Sequence, residues 1–157
     1  MSDVNIARPR VLVADPDPET SALLARALEW SGYEVTTAAN GQEALDLIAR
    51  LRPAAAVVEV TMELVNGYEV VRKLRDEGKR LPVMMISARA GKLDRDFAFT
   101  VGADDYVKKP FHSSELVARL ALLMPTVETK RPAAKPQPLP APRPVRRRPA
   151  PVPAFAR

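Results

Sequence analysis

From residue 10 to residue 123, short apolar runs alternate with helical patterns, and that alternation leaves few folds open to the chain. Arg10–Ala14 (RVLVA) reads as a buried strand, and Asp17-Pro18-Glu19 then supplies an N-cap, an N1 proline and an acidic first turn. The helix that follows places Leu24, Ala27 and Leu28 on one face and stops near Gly32. Tyr33–Thr37 alternates as a strand, and Asn40 caps a helix whose Ala44, Leu47, Ile48 and Leu51 recur at i, i+3, i+4, i+7. Pro53 closes it, and Ala55–Val58 is apolar on both faces, as the central strands of parallel sheets are. Gly67, Val70, Val71 and Leu74 mark a third helix, and Pro82 opens the strand VMMIS. Leu93–Val101 reads as a fourth helix ended by Gly102, and Tyr106-Val107 as a short fifth strand. Val117, Leu120, Ala121 and Met124 form the predicted buried stripe of a last helix. Strict strand–helix alternation predicts a five-stranded parallel sheet with five helices covering both faces, an α/β/α sandwich.

In such sheets, ligand chemistry gathers in the crevice at the carboxyl ends of the strands. The polar residues there are Asp15 after the first strand, Glu59 after the third, Ser87 at the fourth and Lys108-Lys109 after the fifth, with Pro110 next. Glu59 is the most informative, because a carboxylate directly after AAAVV must reach solvent or find a partner; an unpaired buried charge is costly. Lys109 is the available cation.

Composition narrows the chemistry further. The chain has no cysteine and one histidine, His112, which excludes thiolate and multi-histidine metal centres. His112 itself reads as a cap or surface residue at the start of the last helix. No apolar run is long enough to cross a bilayer, and MSDVNIARPR lacks the apolar stretch of a secretory signal, so a cytoplasmic protein is expected. The net charge of +5 is unevenly spread. Residues 125–157 carry ten prolines, eight Lys/Arg and one acid, whereas the first 124 residues carry 16 basic and 18 acidic side chains. The boundaries predicted are thus a mildly acidic domain over 8–124 and a disordered Pro/Arg-rich tail over 125–157. Proline stands at every second residue from Pro138 to Pro144, but no two tail prolines are three apart, so a polyproline spacer fits better than a PxxP ligand. The cluster Arg143, Arg146, Arg147 and Arg148 suits weak binding to an anionic partner, beside the plainer reading of a solvated linker.

Six stretches, VLVADPDPE, GYEVTTAANGQEAL, PAAAVVEV, NGYEVVRKLR, LPVMMISAR and GADDYVKKPF, occur in order at family-like spacing. Over about residues 8–124 the sequence thereby resembles the receiver domain of two-component response regulators. The resemblance implies the flavodoxin-like (CheY-like) fold. It also implies phosphoryl transfer from a histidine kinase to an aspartate after the third strand, with Mg²⁺ held by an acidic pair after the first.

Carried across residue by residue, the match is partial. Asp15 takes the first place of the acidic pair, but Pro16 takes the second, and Glu59 stands where the phosphoacceptor aspartate is expected. Thr61 matches the residue offering a metal-binding carbonyl, Ser87 and Lys109 match the hydroxyl and ammonium, and Tyr106 matches the switch aromatic. Lys109-Pro110 matches a bond that is usually cis in the family, and Glu63 replaces a family proline. Asp17 lies one residue too far along to stand in for the lost ligand and is needed as a cap. Both departures strike positions on which in-line transfer depends. A glutamate carries its carboxylate about 1.5 Å further out than an aspartate, enough to spoil alignment. Mg²⁺ is therefore expected to bind weakly or not at all, with no catalytic residue and no resident metal or cofactor.

The sequence thus predicts a pseudo-receiver that is not an enzyme and acts by contact with a signalling protein in a bacterial pathway, with a homodimer left open. Nucleic-acid binding through the tail, or a receiver still phosphorylated by a histidine kinase, are the alternatives. A Glu59–Lys109 pair could imitate an aspartyl phosphate or be a plain salt bridge, and the sequence does not separate the two. Phe97, Phe99 and Tyr106 fall on the family's usual output surface, with one of the two phenylalanines expected in the core.

Overall fold

A computed structural model describes residues 7–89 and 91–124. Its elements are β1 (Arg10–Ala14), α1 (Pro18–Trp30), β2 (Glu34–Ala38), α2 (Gly41–Leu51), β3 (Ala55–Glu59), α3 (Gly67–Asp76), β4 (Val83–Ser87), α4 (Lys92–Val101), β5 (Asp105–Lys108) and α5 (Ser113–Leu123). The strands form one parallel sheet in the order β2-β1-β3-β4-β5. This is the flavodoxin-like arrangement, and its central strands are buried on both faces as their unbroken apolar runs require.

Alternate residues of each strand serve opposite layers. Val11, Val13, Ala55, Val57, Met84 and Ile86 pack with Leu24 and Leu28 of α1 and Leu116 and Leu120 of α5. Leu12, Ala14, Ala56, Val58 and Met85 pack with the inward faces of α2, α3 and α4. The last helix is phased one residue away from expectation. Its buried stripe is Leu116 and Leu120, while Val117 is only half-buried and Ala121 is exposed. Leucine gains more from burial than alanine, so the leucine-bearing face turns inward.

Local chemistry fixes the ends of the elements near the crevice. Asp17 caps α1, accepting from the Glu19 N–H at 3.2 Å and the Thr20 hydroxyl at 2.6 Å. The Thr20 hydroxyl, then the Glu19 amide, hold the Asp17 carboxyl below the usual carboxylate range. Asn40 accepts from the Glu43 N–H at 2.8 Å and Asn66 from the Glu69 N–H at 3.0 Å, capping α2 and α3. His112 occupies the N-cap position of α5 without a side-chain cap bond, and it is exposed. Gly67 lets α3 start directly beneath β3: a Cβ there would overlap the Glu59 carbonyl oxygen, and the Gly67 N–H donates to Val60 O at 2.8 Å.

The Asp104-Asp105 turn is structural. Asp104 accepts from the Val83 N–H at 2.8 Å and from Arg75 at 3.0 Å. Arg75 also donates to the carbonyls of Gly102, Lys79 and Leu81, tying α3 to the α4–β5 turn. Asp105 pairs with Arg119 of α5 at 3.0 Å. The tail expectations, including Arg143, Arg146, Arg147 and Arg148, lie outside the described residues.

Candidate functional site

Parallel strands deliver Asp15, Glu59, Ser87 and Lys109 to one end of the sheet, where β1 ends beside β3 and β3 beside β4. Asp15 and Glu59 are buried, with side chains 1% and 8% exposed, and Lys109 reaches across from the end of β5 with 23% of its side chain exposed. The ammonium donates to Asp15 Oδ2 at 2.8 Å. It lies 2.5 Å from Glu59 Oε2. That ion pair is the one partner of the buried Glu59 Oε2 among the described residues. The remaining carboxylate oxygens are occupied locally. Asp15 Oδ1 accepts from the Asp17 N–H at 2.9 Å and Glu59 Oε1 from the Thr61 N–H at 3.2 Å. Burial alone would pull the Lys109 pKa down, but Asp15 and Glu59 together outweigh it and hold the ammonium above the ordinary lysine value.

The geometry joins Glu59 to Lys109 as the sequence implied, and adds Asp15 as a second partner that the sequence reading missed. The signal was present, since Asp15 also ends a strand and β1 adjoins β3. Ser87 is in the crevice but turned to its own loop, its Oγ accepting from the Arg89 N–H at 3.0 Å. Pro16 offers no side-chain oxygen, and Thr61 and Glu63 are exposed in the loop after β3. Lys109-Pro110 is cis.

Two expectations for the output surface are corrected. Tyr106 is 1% exposed and cannot be a surface contact: it points inward from β5, and its hydroxyl donates to the Arg89 carbonyl. Neither Phe97 nor Phe99 is core, at 51% and 45% exposure, because Ala98 between them takes the buried position of α4. Phe97 instead packs edge-on against Tyr68 of α3, with ring centroids 4.7 Å apart. Burial, then the neighbouring Tyr106, pushes the Tyr68 phenol up to about 12.

The sequence profile of the response regulator receiver domain matches residues 11–121. The chain belongs to this family. It is 44% identical over 115 residues to the response regulator MprA of Mycolicibacterium vanbaalenii, an alignment covering 73% of this chain and 50% of that protein. It is 43% identical over 122 residues to the transcriptional regulatory protein PrrA of Mycobacterium tuberculosis, covering 78% of this chain and 52% of PrrA. The chain thus spans about half the length of the curated relatives it matches. Among solved structures, the receiver domain of the Francisella response regulator 1452 superposes with a TM-score of 0.72 at 32% identity, covering 74% of this chain and 96% of that one. The Vibrio cholerae chemotaxis protein CheY4 superposes with a TM-score of 0.71 at 28% identity, covering 75% and 100%. The chain is therefore a receiver of two-component signalling with the CheY-like fold.

The Mg²⁺ ion that the family implies is not matched by the residues present. Pro16 removes one carboxylate, and each oxygen of Asp15 and Glu59 already faces an amide or the Lys109 ammonium. A hard divalent ion needs several oxygen ligands, and without the carboxylate that Pro16 replaces too few remain. Among the described residues no helix is long and apolar enough to cross a membrane.

Proposed function

We propose that this chain is a pseudo-receiver: a cytoplasmic, non-enzymatic member of a bacterial two-component pathway that signals by binding another protein and does not run an aspartyl-phosphate cycle. The observation that carries the reading is Glu59 in the acceptor position, buried and held 2.5 Å from Lys109, with Pro16, next to Asp15 in the chain, in place of a metal-binding carboxylate. Phosphoryl transfer depends on in-line positioning and on a metal to neutralise developing charge, and both are compromised here. The inward Tyr106, bonded to the Arg89 carbonyl, supports a receiver held in one arrangement by its own Glu59–Lys109 pair. Exposed Phe97 and Phe99 on α4 are the proposed protein contact. Residues 8–124 form the signalling domain in this reading, and residues 125–157 a separate Pro/Arg-rich extension.

The test is incubation with acetyl phosphate and Mg²⁺ followed by intact-mass measurement. The reading expects no phosphoryl adduct, and an adduct on Glu59 would sink it. A second reading, nucleic-acid binding through the tail, is favoured by the eight basic side chains against one acid in residues 125–157. Binding to duplex DNA that weakens steeply with salt and disappears on removal of those residues would support it.

A further inference from the structure

Every helix of the domain opens with an acid in its first turn, Glu19, Glu43, Glu69, Asp94 and Glu115, and each starts at the crevice end of the sheet. The opposite end, where the strands begin, is basic. Arg8 stands two residues before β1, Arg52 three before β3 and Arg80 three before β4. Those strands are consecutive neighbours in the sheet, so the three entrances span about 10 Å at strand spacing. The loops are pinned to one another: the Ala54 N–H donates to Arg10 O at 2.8 Å and the Ala56 N–H to Pro82 O at 2.9 Å. All three arginines are exposed, and none forms an ion pair among the described residues. Arg8, Arg10 and Arg52 line one open cleft, and Arg52, Lys79 and Arg80 a second that adjoins it. Against these five cations stand three carboxylates, Glu29 and Glu34 in the first cleft and Glu77, which pairs with Lys79 at 3.0 Å. Attraction to helix C-termini accounts for Arg50, Lys73 and Arg75 in the last turns of α2 and α3, and in part for Arg52 at the α2 C-cap. It does not account for Arg8 or Arg80, which lie in strand-entry loops.

From this segregation of charge we infer that Arg8, Arg52 and Arg80 form a docking row for the phosphate backbone of duplex DNA, at the end of the domain opposite the crevice. A guanidinium fork matches phosphate oxygens two at a time. Each DNA strand carries one phosphate per about 3.4 Å of rise, so a row about 10 Å long meets about three. A single small anion fits less well, because none of the three side chains is buried enough to enclose it. A membrane fits less well too, since Pro9, Pro53 and Leu81 between the arginines are buried or half-buried and offer no apolar anchor. The helix α5 runs back from the crevice, so the chain leaves Met124 at the arginine end, and eight further Lys/Arg follow in residues 125–157. The acidic first turns at the other end repel the same polyanion and so fix which end of the domain docks. The inference rests on nucleic acid as the partner of the tail but places a second, separable contact on the folded domain.

The test compares the full-length wild type with a row variant, Arg8→Ala with Arg52→Gly and Arg80→Ala; glycine suits the left-handed backbone of Arg52 at φ 47. A charge-matched control replaces the exposed Arg26, Arg72 and Arg95 by alanine. A tail variant replaces Arg143, Arg146, Arg147 and Arg148 by alanine, and a fifth protein combines the row and tail changes. Each is titrated by fluorescence anisotropy against a labelled duplex of about 20 base pairs between about 50 and 200 mM KCl. The slope of log K against log salt should be shallower by about 2–3 in the row variant than in wild type, and by the same amount in the tail background. The control should change it by less than about 1, and binding should not depend on sequence, as phosphate contacts do not. An unchanged slope in the row variant, or an equal loss in the control, overturns the inference. If only the tail substitutions weaken binding, the row falls while the tail reading stands; a wild-type chain that binds no duplex removes both. Loss of binding to phosphatidylserine vesicles in the row variant, with its DNA binding intact, assigns the row to lipid and equally overturns the inference.

Discussion

Lys109 decides most of what this pocket can do, because it is the shared partner of two buried carboxylates. Removing Lys109 strands both carboxylates, and removing Glu59 leaves Lys109 with Asp15 alone, so each neutral substitution should destabilise the domain, the loss of Lys109 more. A double-mutant cycle with Glu59→Gln and Lys109→Met should return a coupling of about 0.5–3 kcal/mol in urea unfolding, whereas strict additivity would mean that no effective pair exists. The same pairing has a pH signature. The Lys109 pKa lies above its ordinary value of 10.5 in the folded state, so in the alkaline window the native state holds more protons than the unfolded state. Its stabilisation is complete below about pH 10.5 and is lost as pH rises through the folded pKa. Tyr68, raised from 10.0 to about 12, acts in the same direction. Stability should therefore fall on the alkaline side, less steeply in Lys109→Met and less steeply again when Tyr68→Phe is added; identical slopes in all three would refute the assignment. Leu64 offers a test of backbone strain beside the site. It sits at φ 66 with 80% exposure, in a turn closed by the Val65 N–H donating to Glu63 O at 2.7 Å. A leucine in the left-handed region is costly and this one buries little, so Leu64→Gly should raise stability by about 1 kcal/mol, and a loss of stability would contradict this account.

The elements were legible because their signals are local. The proline-opened, aspartate-capped start of α1 and the asparagine caps of α2 and α3 stand in the sequence next to the helices they begin. Asn66→Ala should cost about 1 kcal/mol by denaturant unfolding, since it strands the Glu69 amide at the start of the helix that abuts Glu59; no change would mean that the cap is dispensable. Strand ends were legible to within a residue, which was enough to bring Asp15, Glu59, Ser87 and Lys109 to one crevice. What the sequence withheld was orientation. A period of 3.6 does not say which of two adjacent registers of α5 faces inward, nor that Ala98 rather than a flanking phenylalanine is the buried residue of α4. Rotamers were equally hidden: nothing local to Tyr106 points to the Arg89 carbonyl in the loop after β4, and the turn that closes Ser87 Oγ onto the Arg89 N–H is one of several open to a serine at a strand end.

At the scale of the molecule, a mildly acidic receiver is joined to a segment of opposite charge. Ten prolines and eight basic side chains in residues 125–157 give that segment little apolar area with which to stabilise the sheet. Ending the chain at Met124 should leave the melting temperature within about 2 °C of the full chain, no more than a change of about 1 kcal/mol would shift it, and a larger drop would show that the domain depends on the extension. The central claim of the proposed reading is that Pro16 and Glu59 replace two groups of the phosphorylation chemistry while Asp15, Ser87 and Lys109 stand at the remaining positions. Restoring both groups tests that claim most directly. Wild type, Pro16→Asp, Glu59→Asp and the double variant are each incubated with acetyl phosphate and Mg²⁺, and intact mass is read before and after hydroxylamine. The account predicts a hydroxylamine-sensitive phosphoryl adduct on the double variant and none on wild type or either single variant; an adduct on wild-type Glu59 would contradict it.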